Sequence, residues 1–94
     1  MEEEKKDFIT LNPDFSFFVT TLSLQASIAL GQIANPTTNK TEEDFTQAKF
    51  LIDTLGMLEE KTKGNLNADE SKLLENLLYE LRNIYLAKSK GENK

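Results

Sequence analysis

Between Phe15 and Asn39 the chain carries no Asp, Glu, Lys or Arg, although these four types make up 29% of the whole. A helix that faces water on one side needs charge or strong polarity there. An uncharged run of this length therefore has to be covered on more than one side. Phe15, Phe18, Val19, Leu22, Ala26, Ala29, Leu30 and Ile33 follow the i, i+3, i+4, i+7 pattern of one helix face. Phe17, Leu24 and Ile28 fall on the opposite side. The spacing predicts a helix over about 13–33 that is apolar on two faces.

The start of that helix offers two caps. Asn12 can cap with Pro13 at the first helical position, or Asp14 can cap two residues later. Asn35-Pro36 is a stop, and Thr37, Thr38 and Asn39 continue the turn. A second helix is expected over about 42–63, capped by Thr41, with Asp44 at capping-box spacing. Phe45, Ala48, Leu51, Ile52, Leu55 and Leu58 make its core face, while Phe50 and Met57 lie off it. Gly64 supplies the left-handed residue that ends this helix, and Glu59 with Lys63 is spaced for an i, i+4 pair. Gly56, which weakens a helix interior, suggests a close helix–helix approach.

Asn67 with Glu70 opens a third helix over about 68–88. Leu73, Leu74, Leu77, Leu78, Leu81, Ile84 and Tyr85 form its apolar face, with Tyr79 and Leu86 off it. The fold class expected is all-α, an antiparallel three-helix arrangement in which helices two and three form an αα-hairpin. Residues 1–11 read as an arm, 12–88 as a single helical domain and 89–94 as a polar tail. Phe8, Ile9 and Leu11 could lay the arm on the domain.

Composition excludes much chemistry. With no His and no Cys, the chain lacks the usual neutral-pH base, the commonest metal ligand and any thiolate site. A Ser-His-acid triad and a Glu-x-x-His metal motif are therefore impossible. Asp53 and Glu60 sit on one side of one helix rather than across a cleft, so they read as a solvated face. Gly31, Gly56, Gly64 and Gly91 are too scattered for a phosphate-binding loop. Neither a catalytic residue nor a cofactor or metal is expected. A net charge of −5 argues against nucleic acid, and Lys61, Lys63, Arg82, Lys88, Lys90 and Lys94 are dispersed. Phe15–Ala34 has nearly the length of a membrane span, but seven Ser, Thr and Gln residues interrupt it and no basic anchors flank it. The N-terminus lacks the pattern of a signal peptide, so a cytoplasmic protein is expected.

The functional expectation is a non-catalytic, self-associating protein-interaction module, with a dimer as the expected homo-oligomer and a further protein partner allowed. Its candidate interaction residues are Phe17, Leu24, Ile28, Phe50 and Met57. The alternative is an adaptor or regulator that binds an amphipathic partner helix. A carboxylate-based enzyme and a membrane-associated protein rank below both.

Several segments taken together resemble a known family. They are Asp14-Phe15-Ser16, the Asn35-Pro36 turn before Lys40-Thr41, Asp53-Thr54-Leu55, Glu60-Lys61-Thr62-Lys63-Gly64-Asn65-Leu66 and Leu77-Leu78-Tyr79-Glu80-Leu81-Arg82. In this order, over Asp14 to Tyr85, they are similar to a family of short bacterial proteins classed as a domain of unknown function. The resemblance implies a small helical bacterial protein and supports the cytoplasmic expectation. It supplies no activity, cofactor or substrate. The chain departs from the family at Asn39, where members often have Gly. Asn is the next residue suited to a left-handed position.

Overall fold

The computed structural model describes residues 14–92 of the chain. The arm 1–11 expected from the sequence lies outside the described residues. Among the described residues three helices account for the fold: α1 (Phe15–Ala29), α2 (Phe45–Lys61) and α3 (Ala68–Glu92). Each packs against both of the others, so the protein is all-α with a single core. Phe45 of α2 meets Tyr85 of α3 edge to face, with ring centroids 6.0 Å apart and planes at 85°. Lys88 Nζ donates to Glu43 Oε2 at 3.0 Å. Both contacts pair the start of α2 with the end of α3, as a hairpin requires.

The core follows the helical periodicity. Val19, Ala26, Leu30, Ala48, Leu55, Leu74, Leu78 and Leu81 are all but sealed from solvent, and Ala29, Leu51 and Ile52 are buried beside them. On α1 the buried side chains are Val19 and three small ones, Ser23, Ala26 and Ala29. Larger residues pack around this centre, among them Phe15, Leu22, Leu58, Leu66 and Ile84. Two residues expected in the core are not there: Phe18 and Ile33 stand 49% and 42% exposed. Phe18 sits at the edge of the α1 face, and Ile33 lies beyond the end of the helix.

α1 is shorter than expected because Gly31, not Asn35-Pro36, ends it. Gly31 has φ +79° and follows the capping residue Leu30. Its N–H donates to Ile28 O at 3.0 Å, and the Gln32 N–H reaches back to Ser27 O at 2.9 Å. These are the two bonds of a Schellman motif. At the other end Asp14 is the cap, without a side-chain bond.

Asp44, not Thr41, caps α2, its Oδ1 accepting from Gln47 N at 3.1 Å. The helix is held back because the preceding residues are tied to the end of α1. Asp44 N donates to Ala29 O at 2.8 Å, and Leu30 and Glu43 form an isolated antiparallel bridge. The loop between is a closed turn, with Asn35 N bonded to Lys40 O and Asn39 N to Asn35 O. Asn39 takes φ +61°, the left-handed conformation for which Asn stands in for Gly here.

α2 stops at Lys61, and Gly64 is left-handed at φ +87° as expected. Lys63 lies beyond the last helical residue, so its spacing from Glu59 no longer places the two on one helix face. The Asn67–Glu70 capping box is complete. Glu70 N donates to Asn67 Oδ1 at 2.8 Å, and Asn67 N donates to Glu70 Oε1 at 3.0 Å. α3 then continues to Glu92, four residues past its expected end, with Lys90 suited to the negative end of the helix.

At Gly56 a Cβ would lie 3.0 Å from Arg82 Nη2 of α3. The close approach is thus made by a flexible, exposed guanidinium rather than by backbone. Gly56→Ala is expected to raise stability by about 0.5–1 kcal/mol in urea unfolding, since Arg82 can move aside. Gly31→Ala is expected to lower it by about 1–2 kcal/mol, because the left-handed conformation disfavours any Cβ.

Candidate interaction surface

A helix that packs on two neighbours leaves an outward arc, and on each helix of this bundle that arc carries exposed apolar side chains. On α1 they are Phe17, Phe18 and Leu24, exposed by 57%, 49% and 49%. On α2 they are Phe50 and Met57, and on α3 Tyr79 and Leu86. Of the candidate residues, Phe17, Leu24, Phe50 and Met57 are therefore exposed. Ile28 is half-buried, in a cleft between α1 and the approach to α2 that Gln25, Glu42, Asp44 and Gln47 also line. The structure thus brings Phe17 and Leu24 together on one helix and Phe50 and Met57 together on another.

Sequence reasoning missed what lies between these pairs. Thr21 sits between Phe17 and Leu24, and Thr54 between Phe50 and Met57, at the same spacing. Thr21 Oγ1 donates to Phe17 O at 2.9 Å, and Thr54 Oγ1 donates to Phe50 O at 2.7 Å. Residues at i, i+4 and i+7 span about 60° of a helix, so each set makes one narrow ridge. In each ridge the only hydroxyl is bonded to its own helix, so covering the ridge strands no donor. The shared Phe-x-x-x-Thr-x-x-Leu/Met spacing was the available signal.

The two ridges have different borders. Thr20 and Gln25 flank the ridge on α1, with no charge on the helix. The ridge on α2 runs beside Lys49 and Asp53, whose side chains pair at 2.8 Å. The bond to Asp53, and then its negative charge, raises the Lys49 pKa above its ordinary value. That contribution is in place at neutral pH and is lost only as the pH climbs through the raised value. Asp53 is thus tied to a lysine, one turn from it, and is not poised opposite Glu60. Among the described residues no three carboxylates are grouped to hold a metal ion.

Next to the α2 ridge a groove runs between α2 and α3. Ile52, Tyr85 and Leu86 supply its apolar surface, and Lys49, Asp53 and Arg82 its polar rim. Among the described residues no helix is long and apolar enough to cross a membrane.

Residues 12–87 match the family described as Domain of unknown function (DUF1844). The chain belongs to that family. The match takes in all of α1 and α2 and most of α3, and with them both ridges and the groove. No curated protein and no solved structure matches the chain.

If the ridges are separate from the core, Leu24→Ser and Phe50→Ser should each shift the unfolding free energy of the single chain by no more than about 0.5 kcal/mol. Leu55→Ala, at the sealed centre, should cost about 2–5 kcal/mol. Urea unfolding at low protein concentration checks both.

Proposed function

We propose that this protein is a non-catalytic interaction module that self-associates, with a dimer as the simplest closed form. It is read as a cytoplasmic protein that needs no cofactor and binds no nucleic acid. One observation carries the reading: Phe17, Phe18 and Leu24 stand about half exposed on a helix that carries no charge. An apolar surface of this kind marks a site of association. The absence of His and Cys and the pairing of Asp53 with Lys49 support a role without catalysis. The net charge of −5 supports a protein partner over a phosphate backbone.

A second reading has its own observation, the groove of Ile52, Tyr85 and Leu86 between α2 and α3. A groove between two helices is where an amphipathic partner helix would lie, which would make the protein an adaptor or regulator.

Light scattering across a concentration series tests the first reading. A mass that rises toward twice that of the chain at hundreds of micromolar is expected, and a strict monomer throughout that range overturns self-association. Pull-downs with Leu24→Lys and Leu86→Lys separate the two readings. Loss of capture with Leu24→Lys favours the α1 face, and loss with Leu86→Lys favours the groove.

A further inference from the structure

We infer that the second copy sits on α1 itself, so that the outer ridge of α1 packs against the same ridge of its mate about a two-fold axis, in a weak dimer that tightens as salt rises. This rests on the self-association proposed above and names its surface, symmetry and response to ionic strength.

Electrostatics selects the face. In a two-fold contact the same patch meets itself, so a charge near the axis faces its own like. The α1 ridge of Phe17, Thr21 and Leu24 has no charge on its own helix, and the acids closest to its border, Glu42 and Asp44, lie beyond Gln25 in the cleft beside Ile28. The α2 ridge lies beside Lys49 and Asp53 and near Lys61, all exposed, so covering it with its own image would strip water from these charges. The whole chain carries −5, and two copies repel at a distance. They approach at least cost through the one helix that adds nothing to that repulsion.

Polar satisfaction permits it. At the centre of the ridge Thr21 Oγ1 already donates to Phe17 O, so covering Thr21 leaves no donor stranded. The α2 ridge has the same arrangement at Thr54. Packing α1 of one copy on α2 of the next would therefore also be dry. Such a contact joins unlike patches, however, and leaves one of each free on every pair, so it would grow past the dimer into a ring or an open chain.

Area sets the strength. An aromatic side chain offers roughly 150–250 Å² of surface. Half-exposed Phe17 and Phe18, with Leu24, thus leave bare about 300 Å² per copy, counting an aliphatic residue at the lower end of that range. A standard stable interface takes about 800 Å² from each partner. The α1 pair falls below that and belongs with weak, reversible contacts. Salt then acts in one direction. Screening shortens the reach of the mutual repulsion from about 10 Å at 0.1 M to about 3 Å at 1 M, and no ion pair in the contact is weakened in exchange.

Sedimentation equilibrium on the full chain tests this at 0.1 M and 1 M salt. Four proteins are compared: the native chain, Phe17→Lys, Leu24→Lys and Met57→Lys. Circular dichroism confirms that each variant keeps its helices. The expected result is a monomer–dimer equilibrium that tightens several-fold at the higher salt, is lost in both α1 variants and persists in Met57→Lys. Association that survives Phe17→Lys and Leu24→Lys, weakens with salt, or grows past the dimer overturns the α1 pairing and leaves self-association standing. A native chain that stays monomeric at both salts overturns the two together.

Discussion

A helix in a three-helix bundle has neighbours on two sides and none on the third. Whatever its sequence, it can bury one arc inside its own chain, and here α1, α2 and α3 each bury one against the other two. For α2 and α3 this suits the composition, since their outward arcs hold Lys49, Asp53, Glu75, Glu80 and other charged residues beside the apolar ones. For α1 it does not. Both of its faces are apolar or neutral, and the bundle covers only the one with Val19, Ser23, Ala26 and Ala29. The exposed ridge is thus a consequence of fold geometry meeting an uncharged sequence.

The end of the bundle near Gly31 ties α1 to the approach to α2. Gly31 stops the helix and turns the chain, and the Leu30–Glu43 bridge then fastens the approach to α2 alongside it. A Cβ on Gly31 would come within 2.9 Å of Glu43 Cγ, so the two segments are in close contact there. The Glu43 carboxylate continues the link by accepting from Lys88 of α3. All three helices meet at this one residue. The ion pair itself is partly exposed and contributes little energy. Its neighbours do more: the left-handed glycine and the backbone bonds leave the chain few alternative paths.

The sequence shows the helices and the core more clearly than it shows their ends. Leu51, Leu55, Leu74, Leu78 and Leu81 are buried as their spacing requires, because periodicity integrates many residues and tolerates a few errors. The Asn67–Glu70 box was legible because both partners are local. The start of α2 was not. Thr41 and Asp44 are both good caps, and what chooses between them is the bond from Asp44 N to Ala29 O, a contact between distant segments. Gly31 is a natural stop, but it stands inside an apolar pattern that runs on to Ile33 and hides it. The exposure of Phe17, Leu24, Phe50 and Met57 follows from their spacing. Thr21 and Thr54 are harder to see, because a threonine in a helix reads as neutral until its hydroxyl is bonded to its own backbone.

That hydroxyl bond bears on why the two ridges are alike and yet unequal. Folding alone does not ask for a phenylalanine, a self-bonded threonine and a long aliphatic residue on an outward arc, since polar residues there would fold as well. Their presence on both α1 and α2 makes two surfaces that can lose water without stranding a donor. Only the borders differ, and borders decide with what each can pair. A rim bearing Lys49 and Asp53 can match a partner of complementary charge, and covering it takes two charges out of water. Thr20 and Gln25 border the other ridge with no charge of their own. On a molecule with a net charge of −5, such a neutral patch is the region where another molecule of the same charge meets least resistance. The lack of charge that makes α1 hard to cover within one chain is therefore also what suits it to a second copy.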